Sequence, residues 1–94
     1  RLLQNFPNPF NPETWIPFQL AEDGVVILRI YNQKGRLVRT LYMGAKPAGM
    51  YTSKGKAAYW DGRDSVGEKV ANGVYFYTLH AGDFSATRKL VLMK

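Results

Sequence analysis

Apolar and polar side chains alternate with a period of two along this chain, and helical spacing is almost absent. Across residues 25–32, Val26, Leu28 and Ile30 share one face, while Ile27, Arg29 and Tyr31 share the other. Residues 74–81, "VYFYTLHA", are largely β-branched and aromatic, the chemistry that fits a pleated, half-buried surface. Turn formers interrupt the alternation at 21–24, at 33–35 with Gly35, at 43–49 and at 82–83. Further strands are expected at 15–20, 36–42 and 84–93, with extended ends and a polar surface excursion across 50–60. A short strand near Lys69 and Val70 is also expected within the Gly-rich loop 61–72. Six or seven short strands with turns every 8–12 residues predict an all-β, antiparallel two-sheet sandwich.

The opening adds a second constraint. "NFPNPFNPETWIPF", residues 5–18, holds Pro7, Pro9, Pro12 and Pro17, none of which has a backbone N–H to donate. The same stretch carries Phe6, Phe10, Trp15, Ile16 and Phe18, which disordered linkers rarely do. Residues 1–12 therefore read as a semi-rigid strap packed on the domain that residues 13–94 form. Phe6, Phe10 and Trp15 are its anchors, and Pro7, Asn8 and Pro9 its stiff centre. Prolines lower the entropy lost on docking, and such a strap would blunt the edge of the first strand. Pro17 confines that strand to an edge or a start.

Ninety-four residues suit one domain, and a 46% hydrophobic content supplies one core. There is no cysteine, so no disulfide or thiolate chemistry is available. No apolar run approaches the roughly 20 residues of a membrane helix, and no signal peptide opens the chain. Because the sequence begins at Arg1, it is expected to be a fragment, with any export signal upstream. The net charge of +6 is scattered, with only Arg88 and Lys89 adjacent, unlike the clustered stripe of a nucleic-acid binder.

Catalysis finds little support. His80 is the single histidine and falls at a strand end, and Ser65 lacks a strand–elbow–helix setting. Asp61, Asp64 and Glu68 do not alternate as a calcium loop requires. Asp61 and Asp64 instead suit turn closure beside Gly62, by accepting bonds from nearby backbone N–H groups. No metal or cofactor is expected. Tyr31, Tyr42, Tyr51, Tyr59, Tyr75 and Tyr77 leave open a sugar or peptide platform. Tyr75 follows the loop at a strand start, where its hydroxyl can tie a sandwich corner to backbone.

Three blocks in order carry a resemblance: "NFPNPFNPETWIPFQL", "IYNQKGRLVRTL" and "YWDGRDSVGEKVANGVYFYTLHAGDFSATRKLVLMK". Together they resemble the C-terminal immunoglobulin-like sorting domain of the type IX (Por) secretion system, and the related immunoglobulin-like domain of the flagellar hook-capping protein, and so imply an immunoglobulin-like antiparallel β-sandwich of about seven strands. The proline-rich entry matches Phe6-Pro7-Asn8-Pro9. The Gly-rich stretch runs from Gly67 to Gly73-Val74-Tyr75, and the basic final strand matches Lys89-Leu90-Val91 and Lys94. One departure is the longer run between Gly49 and Trp60. The resemblance implies a non-catalytic export and surface-attachment signal at the end of a secreted bacterial protein, reached through the periplasm. Its implied partners are secretion machinery proteins and upstream cargo domains of the same chain, with no nucleic acid and no membrane insertion. The implied recognition residues are Gly67, Gly73, Tyr75, Lys89, Leu90, Val91 and Lys94. The alternatives are a spacer or assembly module, as in the hook cap, and an accessory carbohydrate-binding module.

Overall fold

A computed structural model describes residues 1–93, so Lys94 lies outside the described residues. Eight strands form in chain order: β1 (Thr14–Ile16), β2 (Phe18–Leu20), β3 (Gly24–Tyr31), β4 (Leu37–Lys46), β5 (Gly49–Tyr51), β6 (Ala58–Trp60), β7 (Gly73–Ala81) and β8 (Phe84–Leu92). One layer is the four-stranded antiparallel sheet β4-β3-β7-β8. The other is built from two antiparallel pairs, β1-β6 and β2-β5. The chain is an all-β, immunoglobulin-like open sandwich.

The alternation explains the core. Val26, Leu28 and Ile30 of β3 and Tyr75, Tyr77 and Leu79 of β7 are buried from one sheet. Ile16, Phe18, Leu20, Ala58 and Trp60 meet them from the other layer, and all belong to one apolar cluster. Burying each large side chain of this kind stabilises the fold by about 1.5–3 kcal/mol. Between β7 and β8, Gly82 takes a φ of 59° while no non-glycine residue has positive φ, the signature of a type II′ hairpin turn.

Three expectations require correction. The strand expected at 15–20 is two strands, because Pro17 cannot donate into a ladder. Its halves turn to different partners, β6 and β5, and this raises the count to eight. The other edge of both halves is lined by the N-terminal segment, where Leu2 bridges Phe18 and Phe6 bridges Trp15. Residues 43–46 are not a turn, because β4 runs on to Lys46. Met43 is left without a partner between Tyr42↔Ile27 and Gly44↔Val26. That bulge is absorbed by Gly44 at a φ of 77°, a backbone conformation that glycine adopts without strain. Finally, Lys69 makes a single bridge to Arg63 instead of a strand.

Candidate functional site

The first twelve residues lie against both layers. On one side the Leu3 N–H donates to Pro17 O at 3.1 Å, the Gln19 N–H to Arg1 O at 2.7 Å, and Phe6 and Trp15 exchange two bonds of 2.9 Å. On the other side the same segment meets the outer edge of β8. The Phe10 N–H donates to Val91 O at 2.9 Å and the Met93 N–H to Phe10 O at 3.0 Å. The Val91 N–H donates to Asn8 Oδ1 at 3.0 Å, and Gln4 Nε2 donates to Lys89 O at 2.9 Å. Arg88 Nε adds a bond to Leu2 O at 2.9 Å. The peptide bonds before Pro7, Pro9 and Pro12 are cis. Asn8 and Gln4 side chains supply two of the edge contacts and the Phe10 backbone two more.

A buried polar network sits beneath this segment. The Asn5 N–H donates to the Tyr77 hydroxyl at 2.9 Å, and that hydroxyl donates to Leu3 O at 2.8 Å. Asn5 Nδ2 donates to Thr14 Oγ1 at 3.0 Å and to Pro7 O at 3.2 Å, while Thr14 Oγ1 donates to Pro7 O at 3.1 Å. Asn5 and Thr14 are 2% and 0% exposed, so each bond replaces one that water would otherwise make. No buried side-chain polar atom among the described residues lacks a partner. Burial pushes the Tyr77 phenol up to about 12, against smaller lowering by the Asn5 N–H bond and the Arg88 charge. Sequence reasoning missed Asn5, Thr14 and Tyr77 as a group. The one available signal was Tyr77's place on the inward face with Tyr75 and Leu79.

The residues marked from sequence fall into distinct settings. Leu90 is fully buried, whereas the backbone edges of Lys89 and Val91 are covered by Gln4, Asn8 and Phe10. Gly73 and Tyr75 lie directly across the ladder from Leu92 and Leu90. The Tyr75 hydroxyl donates to Ala71 O at 2.6 Å, at the corner before β7. Gly67 sits apart, in a turn where its N–H donates to Asp64 O at 3.1 Å. Phe10 is buried against Trp60, with ring centroids 5.5 Å apart, and Phe6 stacks on Trp15 at 6.2 Å.

The loop after β6 is closed by its aspartates. Asp61 Oδ1 accepts the Arg63 N–H at 3.0 Å and also Arg39 Nη1 at 3.0 Å. Asp64 Oδ1 accepts the N–H groups of Val66 and Glu68 at 3.1 and 2.9 Å. Gly62 is forced by contact: a Cβ there would lie 2.5 Å from Pro12 O, and its φ is 75°. Among the described residues no group of three or more His, Cys, Asp or Glu is placed to hold a metal ion. No helix among them is long and apolar enough to cross a membrane. The six tyrosines share no single platform: Tyr75 and Tyr77 are buried, while Tyr42 is 76% exposed on β4.

Comparison with known proteins places this architecture. The sequence pattern of the FlgD Ig-like domain matches residues 16–83. No curated protein gives a significant match. Among solved structures, dimeric latent PorU from Porphyromonas gingivalis superposes with a TM-score of 0.64, at 24% identity, over 98% of this chain and 9% of PorU. PorZ from the same organism, an essential bacterial surface component of its type-IX secretion system, gives 0.67 at 18% identity over 97% of this chain and 11% of PorZ. This chain thus spans about a tenth of either neighbour's length, and at such identities the likeness is one of fold. The pattern match covers most of the sandwich: the chain belongs to the FlgD Ig-like domain family.

Proposed function

We propose that this domain is a non-catalytic sorting and cell-surface attachment signal for type IX secretion, carried by a larger secreted bacterial protein. In this reading secretion machinery proteins recognise the folded domain, after the cargo has reached the periplasm. The observation that carries the reading is the extent of the likeness to PorU and PorZ. At 98% and 97% of the chain, it takes in the N-terminal segment and the last strand, both outside the residues 16–83 of the family pattern.

Recognition is assigned to the outward side chains of Lys89 and Val91, to Lys94 and to the turn holding Gly67. Leu90, Gly73 and Tyr75 position that surface from within, and the segment through Phe6, Pro7, Asn8, Pro9, Phe10 and Trp15 holds it in place. The test is a reporter fused upstream of residues 1–94 in a host that has this secretion system. Surface display should require the domain and should fall with Lys89→Glu, which leaves the buried Leu90 and Leu92 intact. Equal display of the reporter without the domain would refute the proposal.

The family match itself favours a second reading, a spacer or assembly module. Under that reading the domain would occur in the middle of its parent chain, and the fused reporter would stay in the periplasm.

A further inference from the structure

Where the loop after β6 passes the N-terminal segment, a cleft of about 500 Å3 opens between Asn11, Tyr59, Asp61, Arg63, Lys69 and Leu92. This volume lies within the range typical of small-ligand sites. Two cations stand side by side on its wall by construction. Arg63 and Lys69 are partners in an antiparallel bridge, held by the Val70 N–H bond to Gly62 O and the Asp64 N–H bond to Glu68 O. Like charges directly opposite on neighbouring strands are destabilising.

Asp61 is the one carboxylate lining the cleft, so its two cations outnumber its anions. Among the described residues the one ion pair is Arg39–Asp61. Lys69 makes no hydrogen bond through its ammonium there, and the Arg63 guanidinium makes one, to Gly67 O. Asp61 uses Oδ1 for Arg39 and for the Arg63 N–H, which leaves Oδ2 as an acceptor. The Asn11 amide offers a donor and an acceptor beside it, and Tyr59 and Leu92 provide ring and apolar wall.

We infer that this cleft binds the C-terminal carboxylate of a peptide. The carboxylate sits between Arg63 and Lys69 in charge-assisted bonds. The preceding peptide N–H reaches Asp61 Oδ2 or the Asn11 carbonyl, and an apolar last side chain lies against Tyr59 and Leu92. Both donors and acceptors are needed for such a ligand, and a bare anion would leave the acceptors idle. This site is independent of the sorting role, since it requires no secretion partner.

The test is an NMR titration of the 94-residue chain with acetyl-Ala-Leu carrying a free carboxylate. The comparison arms are the same dipeptide as its C-terminal amide, and glucuronate. Saturable shifts are expected at the amides of Gly62, Arg63 and Lys69. Amidation of the ligand, or Lys69→Gln in the protein, should weaken binding by at least about tenfold. Higher salt should weaken it further, because the cleft is open to solvent. Lys69 is exposed, so its replacement leaves the fold intact. The inference is overturned by any of four results: no saturation in the millimolar range, equal binding of the amide, no effect of Lys69→Gln, or glucuronate binding as tightly as the dipeptide.

Discussion

The Tyr77 phenol oxygen accepts the backbone N–H of Asn5 at 2.9 Å, joining positions 72 residues apart. It returns a bond to Leu3 O at 2.8 Å, so one hydroxyl on β7 satisfies two backbone groups of the N-terminal segment. Tyr77→Phe keeps the ring in the core and leaves both groups without that partner. Losing a buried bond in this way costs about 1–3 kcal/mol. Urea denaturation should show a lower midpoint at unchanged slope. An unchanged midpoint would mean that the segment is not held by Tyr77.

The same phenol makes stability fall at alkaline pH. Its folded pKa is raised to about 12 from 10.0, mainly by burial. The unfolded chain therefore releases this proton first. Stability from Tyr77 is fully present below pH 10 and is lost as pH climbs from 10 towards 12. Tyr75 is also raised by burial and adds to the trend. Denaturation midpoints measured from pH 8 to 12 should drop more steeply for the wild type than for Tyr77→Phe.

Two glycines with similar φ should respond differently to alanine. At Gly62 a Cβ would meet Pro12 O at 2.5 Å, whereas at Gly67 nothing lies within 4 Å. Gly67→Ala carries only the left-handed backbone cost of about 1 kcal/mol. Gly62→Ala carries that cost and must also push the N-terminal segment away. Its loss of stability should be at least about twice as large, read by thermal melting.

Arg39 and Asp61 should be unequal partners. Their ion pair is 3.0 Å long, with side chains 29% and 37% exposed, so the pair itself is worth about 1 kcal/mol or less. Arg39 Nη1 also donates to Arg63 O at 3.1 Å, but that oxygen keeps the Trp60 Nε1–H bond at 2.9 Å when Arg39 is replaced. Asp61, by contrast, closes the loop by accepting the Arg63 N–H. Asp61→Ala should therefore destabilise more than Arg39→Met, by about the 0.5–1.5 kcal/mol of one further hydrogen bond. Equal losses would reduce Asp61 to a charge partner alone.

Local periodicity made much of this fold legible. The inward face of β3 follows from alternation at Val26, Leu28 and Ile30, because side-chain period and burial are locally coupled, and β7 follows from the β-branched and aromatic run at 74–81. Pairing was less accessible. That Pro17 would divide a strand between two partners depends on β5 and β6, more than 30 positions away. The continuation of β4 through Gly44 depends on a bulge, which a glycine in sequence does not distinguish from a turn. The burial of Asn5 and Thr14 has no local signal, because their partners, Tyr77 and the Pro7 carbonyl, come together only on folding. In the candidate site, Asp61, Asp64 and Gly62 carried their turn chemistry openly. The covering of β8 by Gln4, Asn8 and Phe10 did not, since no local signal links the two ends of the chain.

The central claim is that the N-terminal segment is a structural part of the sandwich and covers the outer edge of the last strand. Hydrogen exchange at individual amides tests it most directly. Val91 and Met93 donate to this segment, whereas Ser85 and Thr87, in the same outward phase of β8, do not. The account predicts strong protection at Val91 and Met93 that disappears with residues 1–10 removed, and weak protection at Ser85 and Thr87 throughout. Val91 and Met93 exchanging as fast as Ser85 and Thr87 in the intact chain would contradict it.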